Sequence, residues 1–248
     1  MGKSVEWLKT KVKSISLNEK IFQIFLGEDC YVIGALSQKD GATPNIFSLA
    51  TIYDSIYDIH KKVEFSFYSA CACDLSESLE DYRMFGPVQK NEKTAEYYIE
   101  NMAFRVGTLW DLLAQLYNEL WQIKTPINKL FCTEFFHNTS QGKRGRPAAK
   151  TIYAYLVEED EVKEETESWK GNHTYAKEYR DQMTHRNAPS ISSISPFNTA
   201  IRPPAVFSLK RITEDYLQVI AFITGAVTEI SSYIVEHPPF GMQEIVWD

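Results

Sequence analysis

The sequence predicts an all-α fold, a bundle of four to five long helices with an N-terminal extension. Three observations lead there. Apolar residues recur at helical spacing through several long segments. Proline and capping residues stand where such segments should start and stop. The connections are short to medium and no repeat period is visible, which suits helices packed around one core.

Taken in order, Thr43-Pro44 reads as a helix start, with threonine as N-cap and proline at the first helical position. Ile46, Leu49, Ile52/Tyr53, Ile56, Ile59/Val63 and Phe67 then carry a helical period into the seventies. The block MFGPVQ (84–89) breaks the chain. A second helix is expected from Asn91 to Ile123, stopped by Thr125-Pro126. A shorter element follows around Leu130–Phe136, then the polar loop HNTSQGKRGRP. Pro147 opens AAKTIYAYLVEEDEV, and the next helix is expected over Glu167–Asn187. A serine-rich loop with Pro189, Pro196, Pro203 and Pro204 leads to a last helix over Ser208–Glu236. Residues 18–38 fit a helix pair or a short hairpin equally well. The organisation is therefore an extension (1–43) packed on the bundle, a helical domain (44–236) and an apolar-ended tail (237–248).

With 248 residues the chain has room for one large domain or two small ones. Its net charge of −7 excludes a generic basic nucleic-acid coat, so any nucleic-acid contact must be a local site. The four cysteines (Cys30, Cys71, Cys73, Cys132) lack zinc-site spacing and read as reduced, packed thiols. No metal or cofactor is expected. MGKSVEWLKTKVKSISL has no signal-peptide h-region, and Leu217–Val235, with Glu229 inside it, reads as a core helix rather than a membrane span. A cytoplasmic protein without membrane contact is the expectation.

The second helix is apolar on nearly every side, which predicts burial almost all round. Glu100, Asn101, Arg105, Thr108 and Asp111 nevertheless sit in its middle. Glu100, Phe104, Thr108 and Asp111 share one face, flanked by Asn101 and Arg105. Buried ionised groups must be paired, so these residues predict either a network that sets helix register or a polar floor under a neighbouring site.

The stretch YAKEYRDQMTHRNAP (175–189) places Arg180 and His185 five residues apart. On a helical wheel Arg180 falls in an apolar stripe with Trp169, Ala176 and Met183, where it needs a carboxylate, a phosphate or another subunit. His185 lies about 140° round, beside Asp181. The two therefore cooperate only at a relaxed helix end or across a two-fold groove. His173 shares the Arg180 face two turns earlier and is expected to be a core or interface histidine, as are His60, His137 and His237.

The motif Arg180-Asp181-x-x-x-His185, on the second-to-last long helix, resembles the R-x4–6-H signature of HEPN domains. The upstream E-N-x-x-x-R-x-x-x-x-x-D pattern (Glu100, Asn101, Arg105, Asp111) is similar to the long helix of several HEPN branches, and KRITEDY opens the last helix in a similar way. The resemblance spans roughly residues 44–236. It implies a HEPN-like bundle, usually a homodimer, and a metal-independent endoribonuclease in toxin–antitoxin or other antiviral defence systems. Arg180 and His185 would be the catalytic pair, Asp181 their polar neighbour, RNA the substrate, and an antitoxin or defence protein a partner. Asn187 stands where members modified by a nucleotidyltransferase often have tyrosine, which argues against that regulation. Histidine moves protons at neutral pH and arginine's planar fork suits phosphate, so the residue types fit RNA cleavage.

GKRGRPAAK (142–150) matches the core of an AT-hook, although a helix start also explains Pro147. Lys143, Arg144, Arg146 and Lys150 are candidates for guiding RNA phosphates; a solvated loop is the plain alternative. Beside the ribonuclease stand two other readings: a non-catalytic HEPN-fold module that binds RNA or nucleotides or dimerises, and an unrelated helical scaffold.

Overall fold

Capping chemistry sets the helix boundaries in the computed structural model, which describes residues 4–19, 45–73, 75, 90–141, 145–159, 169–185, 189, 192–194, 199–200 and 202–236. Residues 185, 193–194, 199–200 and 234–235 are described by their backbone alone. Ser4 opens α1 (Val5–Lys13) by accepting the N–H of Trp7. Asn45 opens α2 (Ile46–Cys71) by accepting those of Phe47 and Ser48. The expected cap Thr43 lies outside the described residues, and the cap belongs to Asn45.

α3 (Lys90–Leu120) ends sooner than its periodicity suggests. Gln122 (φ 55°) and Lys124 (φ 62°) turn left-handed, a conformation that no helix continues. The Asn118 side chain then holds Thr125 at both its N–H and its carbonyl, each at 3.0 Å. The stop therefore precedes Pro126. A 3₁₀ turn (Ile127–Lys129) leads into α4 (Cys132–Ser140), and Pro147 occupies the first turn of α5 (Pro147–Leu156) as expected. α6 (Asn172–His185) begins after Gly171, whose φ of 67° suits glycine. α7 (Ala205–Glu236) begins directly after Pro203-Pro204.

Among the described residues the chain is helical apart from an antiparallel pairing of Ser193–Ile194 with Thr199–Ala200. Among the described residues α2, α3 and α7 are long helices, at 26, 31 and 32 residues; α6 has 14 and the other described helices fewer. The MFGPVQ break, the hairpin-or-helix segment beyond residue 19 and the tail 237–248 lie outside the described residues.

α3 is the central element, packed along α2 and α7 and touching α4 and α6; α5 rests on α4, and α1 lies against α7 and α2. Its core stripe includes Ile99, Met102, Val106, Leu109, Trp110 and Leu113. Burial all round is not found, because Tyr97, Phe104 and Thr108 face solvent. Aromatic and aliphatic residues on the outer face made the helix look more buried than it is. α7 turns Ile212, Tyr216, Val219, Ile223 and Ala226 inward. Among the described residues no helix is long and apolar enough to cross a membrane.

Arg211 locks α7 to the start of α6. Its side chain is 1% exposed, sits over the rings of Trp169, Tyr175 and Phe207, and donates from Nη2 to the carbonyls of Lys170 and Gly171. This anchor fixes the register that carries His173, Lys177 and Arg180.

Candidate active site

α6 presents His173, Ala176, Lys177 and Arg180 on one face, the i, i+3, i+4, i+7 positions of a helix. That face forms one wall of a cleft of about 720 Å³. The opposite wall is α3, through Ala103, Gly107, Trp110 and Asp111, and α4 with its N-cap Phe131 closes one side through Phe131, Cys132, Glu134 and His137. Asp215 of α7 lies at the base.

Arg180 rests on Gly107. A β-carbon at position 107 would collide with Nη1 of Arg180, so the missing side chain is what lets the guanidinium lie against α3. Ala103, Gly107 and Asp111 form one i, i+4, i+8 stripe on α3, and the Arg180 charge acts on the Asp111 carboxyl. The Arg180 side chain is 31% exposed, and Asp181 stands 3.8 Å from its Nε, too far for a hydrogen bond. The guanidinium is thus half-sheltered and turned into the cleft.

Asp111 keeps solvent contact at the mouth but is crowded by the surrounding walls. That partial burial raises its carboxyl above the ordinary range, while Arg180, His173 and a hydrogen bond from the Cys132 backbone N–H pull it down. The same hydrogen bond makes Asp111 an acceptor for the first turn of α4, where the helix dipole favours negative charge.

At the base, Asp215 is 1% exposed. Its Oδ2 accepts from Trp110 Nε1 and its Oδ1 from the Tyr155 hydroxyl, both at 3.1 Å. Burial, followed by the neighbouring Asp215 charge, raises the Tyr155 phenol far above its usual value, so it stays a donor. His173 Nδ1 stands 3.5 Å from Asp215 Oδ1. The approach is ionic in range but not aligned as a hydrogen bond, and Nδ1 is buried with no other hydrogen-bond partner. The His173 ring stands edge-on to Trp110 at 4.9 Å.

Of the residues singled out in the sequence, Arg180 and Asp111 come together here. Asp181 is exposed beside Arg180. His185 is the last residue of α6, and its side chain lies outside the described residues. Glu100, Asn101 and Arg105 do not form a buried floor: they lie half-exposed on the outer face of α3. Asn101 donates to the Tyr97 carbonyl, and Arg105 donates to Asn101, so both are engaged along their own helix. Lys143 and Arg144 lie outside the described residues. Arg146 sits over the Trp121 ring at 4.8 Å, away from the cleft, and Lys150 is exposed on α5.

Sequence reasoning passed over Gly107, Trp110, Lys177 and Asp215. A signal existed for two of them, since Gly107 precedes Asp111 by four residues and Lys177 precedes Arg180 by three. Asp215 gave none, because its partners are 105 and 60 residues away. Among the described residues no three His, Cys, Asp or Glu side chains are grouped to hold a metal ion. No protein-family model, curated protein or solved structure matches this chain.

Proposed function

We propose that the cleft binds an RNA phosphodiester and that the chain is a metal-independent endoribonuclease of HEPN type. The observation that carries this reading is the placement of Arg180, whose guanidinium is half-sheltered on Gly107 within a cleft that also holds Lys177 and His173. A planar guanidinium fixed in advance suits the charge that develops on a phosphorane. Phe131, 63% exposed at the lip, offers a face on which an unpaired base can stack. Arg180 and His185 are the proposed catalytic pair, as the motif resemblance implies. A homodimer and an antitoxin or defence partner rest on that resemblance as well.

The test is cleavage of single-stranded RNA by the purified protein in the presence of a chelator. The wild type should cut, and Arg180→Ala and His185→Ala should each lose at least about a hundredfold in rate. Cutting by wild type and both variants at equal rates would refute the assignment. The exposed Phe131 also supports a second reading, a non-catalytic RNA- or nucleotide-binding module; binding by wild type with no cleavage identifies it.

A further inference from the structure

The Arg180–His185 pair brings one side chain able to exchange protons at neutral pH, whereas cleaving RNA by its own 2′-hydroxyl needs two proton transfers. One group must take the 2′-hydroxyl proton and another must protonate the departing 5′-oxygen. Two histidines line the cleft, His137 and His173, and His173 is the one set against a buried carboxylate. His173 lies on the same face of α6 as Arg180, with Nδ1 turned to the buried Asp215 carboxylate and its ring set against Trp110.

Both side chains lean on α3: the Arg180 guanidinium rests at Gly107 and the His173 ring stands against Trp110. Both line the same cleft, and both lie close enough to Asp111 to act on its charge.

We propose that His173 is a catalytic residue of this cleft, the base that takes the ribose 2′-hydroxyl proton, and that Asp215 is its positioning residue; this rests on the ribonuclease reading above. Nδ1 faces Asp215, so Nε2 is the nitrogen presented to substrate. As Nε2 takes the proton, O2′ bonds to phosphorus and the P–O5′ bond breaks, leaving a 2′,3′-cyclic phosphate. The 5′-oxygen leaves with a proton from the His185 imidazolium, and both rings re-equilibrate with water. Asp215 is itself fixed by Trp110 and Tyr155, so the carboxylate cannot swing away when the ring becomes charged.

The experiment compares single-turnover cleavage, in chelator, by wild type, His173→Gln, His173→Gly, Asp215→Asn, Arg180→Ala and His60→Gln, with helical content and melting recorded for each. His173→Gln should lose about a hundredfold or more in rate while RNA binding stays within about threefold. Added imidazole should restore part of the His173→Gly rate, which a merely structural histidine would not allow. Asp215→Asn should lower kcat with little change in KM, and His60→Gln should cut like wild type. A folded His173→Gln that cuts at the wild-type rate overturns the proposal while leaving the ribonuclease reading intact, provided Arg180→Ala is inactive. Absence of imidazole rescue in a folded, RNA-binding His173→Gly also overturns it. No cleavage by wild type removes both.

Discussion

Two buried histidines approach adjacent residues of α7 and end in opposite circumstances. His60 of α2 is 2% exposed and meets the Tyr216 hydroxyl through Nδ1 at 2.5 Å. Burial first, then Lys61, lowers its proton affinity against the pull of Glu64, so it is held neutral. Tyr216 is pushed far above the usual phenol range by burial. That pair is a satisfied hydrogen bond inside the core. His173 of α6 meets Asp215, one residue earlier, and lines a cleft. Its partner is an anion, and its ring borders a space large enough for a ligand. Burial and a polar partner are common to both histidines; access and the charge of the partner are what set them apart.

The contrast breaks most visibly at Asp215. Asp215→Ala leaves the buried donors of Trp110 and Tyr155 without an acceptor, at about 1–3 kcal/mol each. A loss of roughly 3–5 kcal/mol in urea unfolding is expected; a loss below about 1 kcal/mol would mean the carboxylate does not organise the cleft base.

Gly107→Ala sharpens the same comparison without touching a polar group. The new methyl must displace the tip of Arg180, while a helical alanine is itself favourable by up to about 1 kcal/mol. The variant should melt no lower than wild type yet cut RNA about a hundredfold more slowly, about 2.7 kcal/mol in barrier. Retained activity would show that Arg180 works elsewhere than at Gly107.

Glu96, which does not line the cleft, gives a pH signature of its own. Burial and the neighbouring Glu92 raise its carboxyl from 4.5 to about 7, against the pull of Arg202 at 3.7 Å. Because the folded-state value is raised, the folded protein binds the extra proton. Stability should therefore fall as pH rises from about 4.5 to about 7. Glu96→Gln should remove roughly 1–3 kcal/mol of that decline, read as unfolding free energy at pH 5 and pH 8. An unchanged slope would contradict the assignment. The smallest effect belongs to His60→Gln, about 1 kcal/mol of stability with RNA cleavage unchanged.

Much of the fold is legible in the sequence because its signals are local. The period from Ile46 to Phe67, Pro147 at a first turn and the apolar run in α7 each encode a helix within one segment. The end of α3 is less legible, since Gln122 and Lys124 adopt left-handed backbone without glycine and Asn118 secures the turn. The outer face of α3 misled for a related reason: Tyr97 and Phe104 carry apolar rings yet face solvent, so Glu100, Asn101 and Arg105 looked buried. In the cleft, Arg180 stood out because a charge in an apolar stripe needs an explanation. Gly107 and Asp215 act through residues distant in sequence, and only the packing of α6 and α7 on α3 brings them to Arg180 and His173.

The central claim is that this cleft cuts RNA with Arg180 at the phosphate. The most direct measurement is the single-turnover rate of single-stranded RNA cleavage in chelator by wild type and by Arg180→Ala, with the product ends identified. Wild type should release 2′,3′-cyclic phosphate and 5′-hydroxyl ends, and Arg180→Ala should be at least about a hundredfold slower with its helical content unchanged. Wild type that leaves RNA intact, or a folded Arg180→Ala that cuts equally fast, would contradict it.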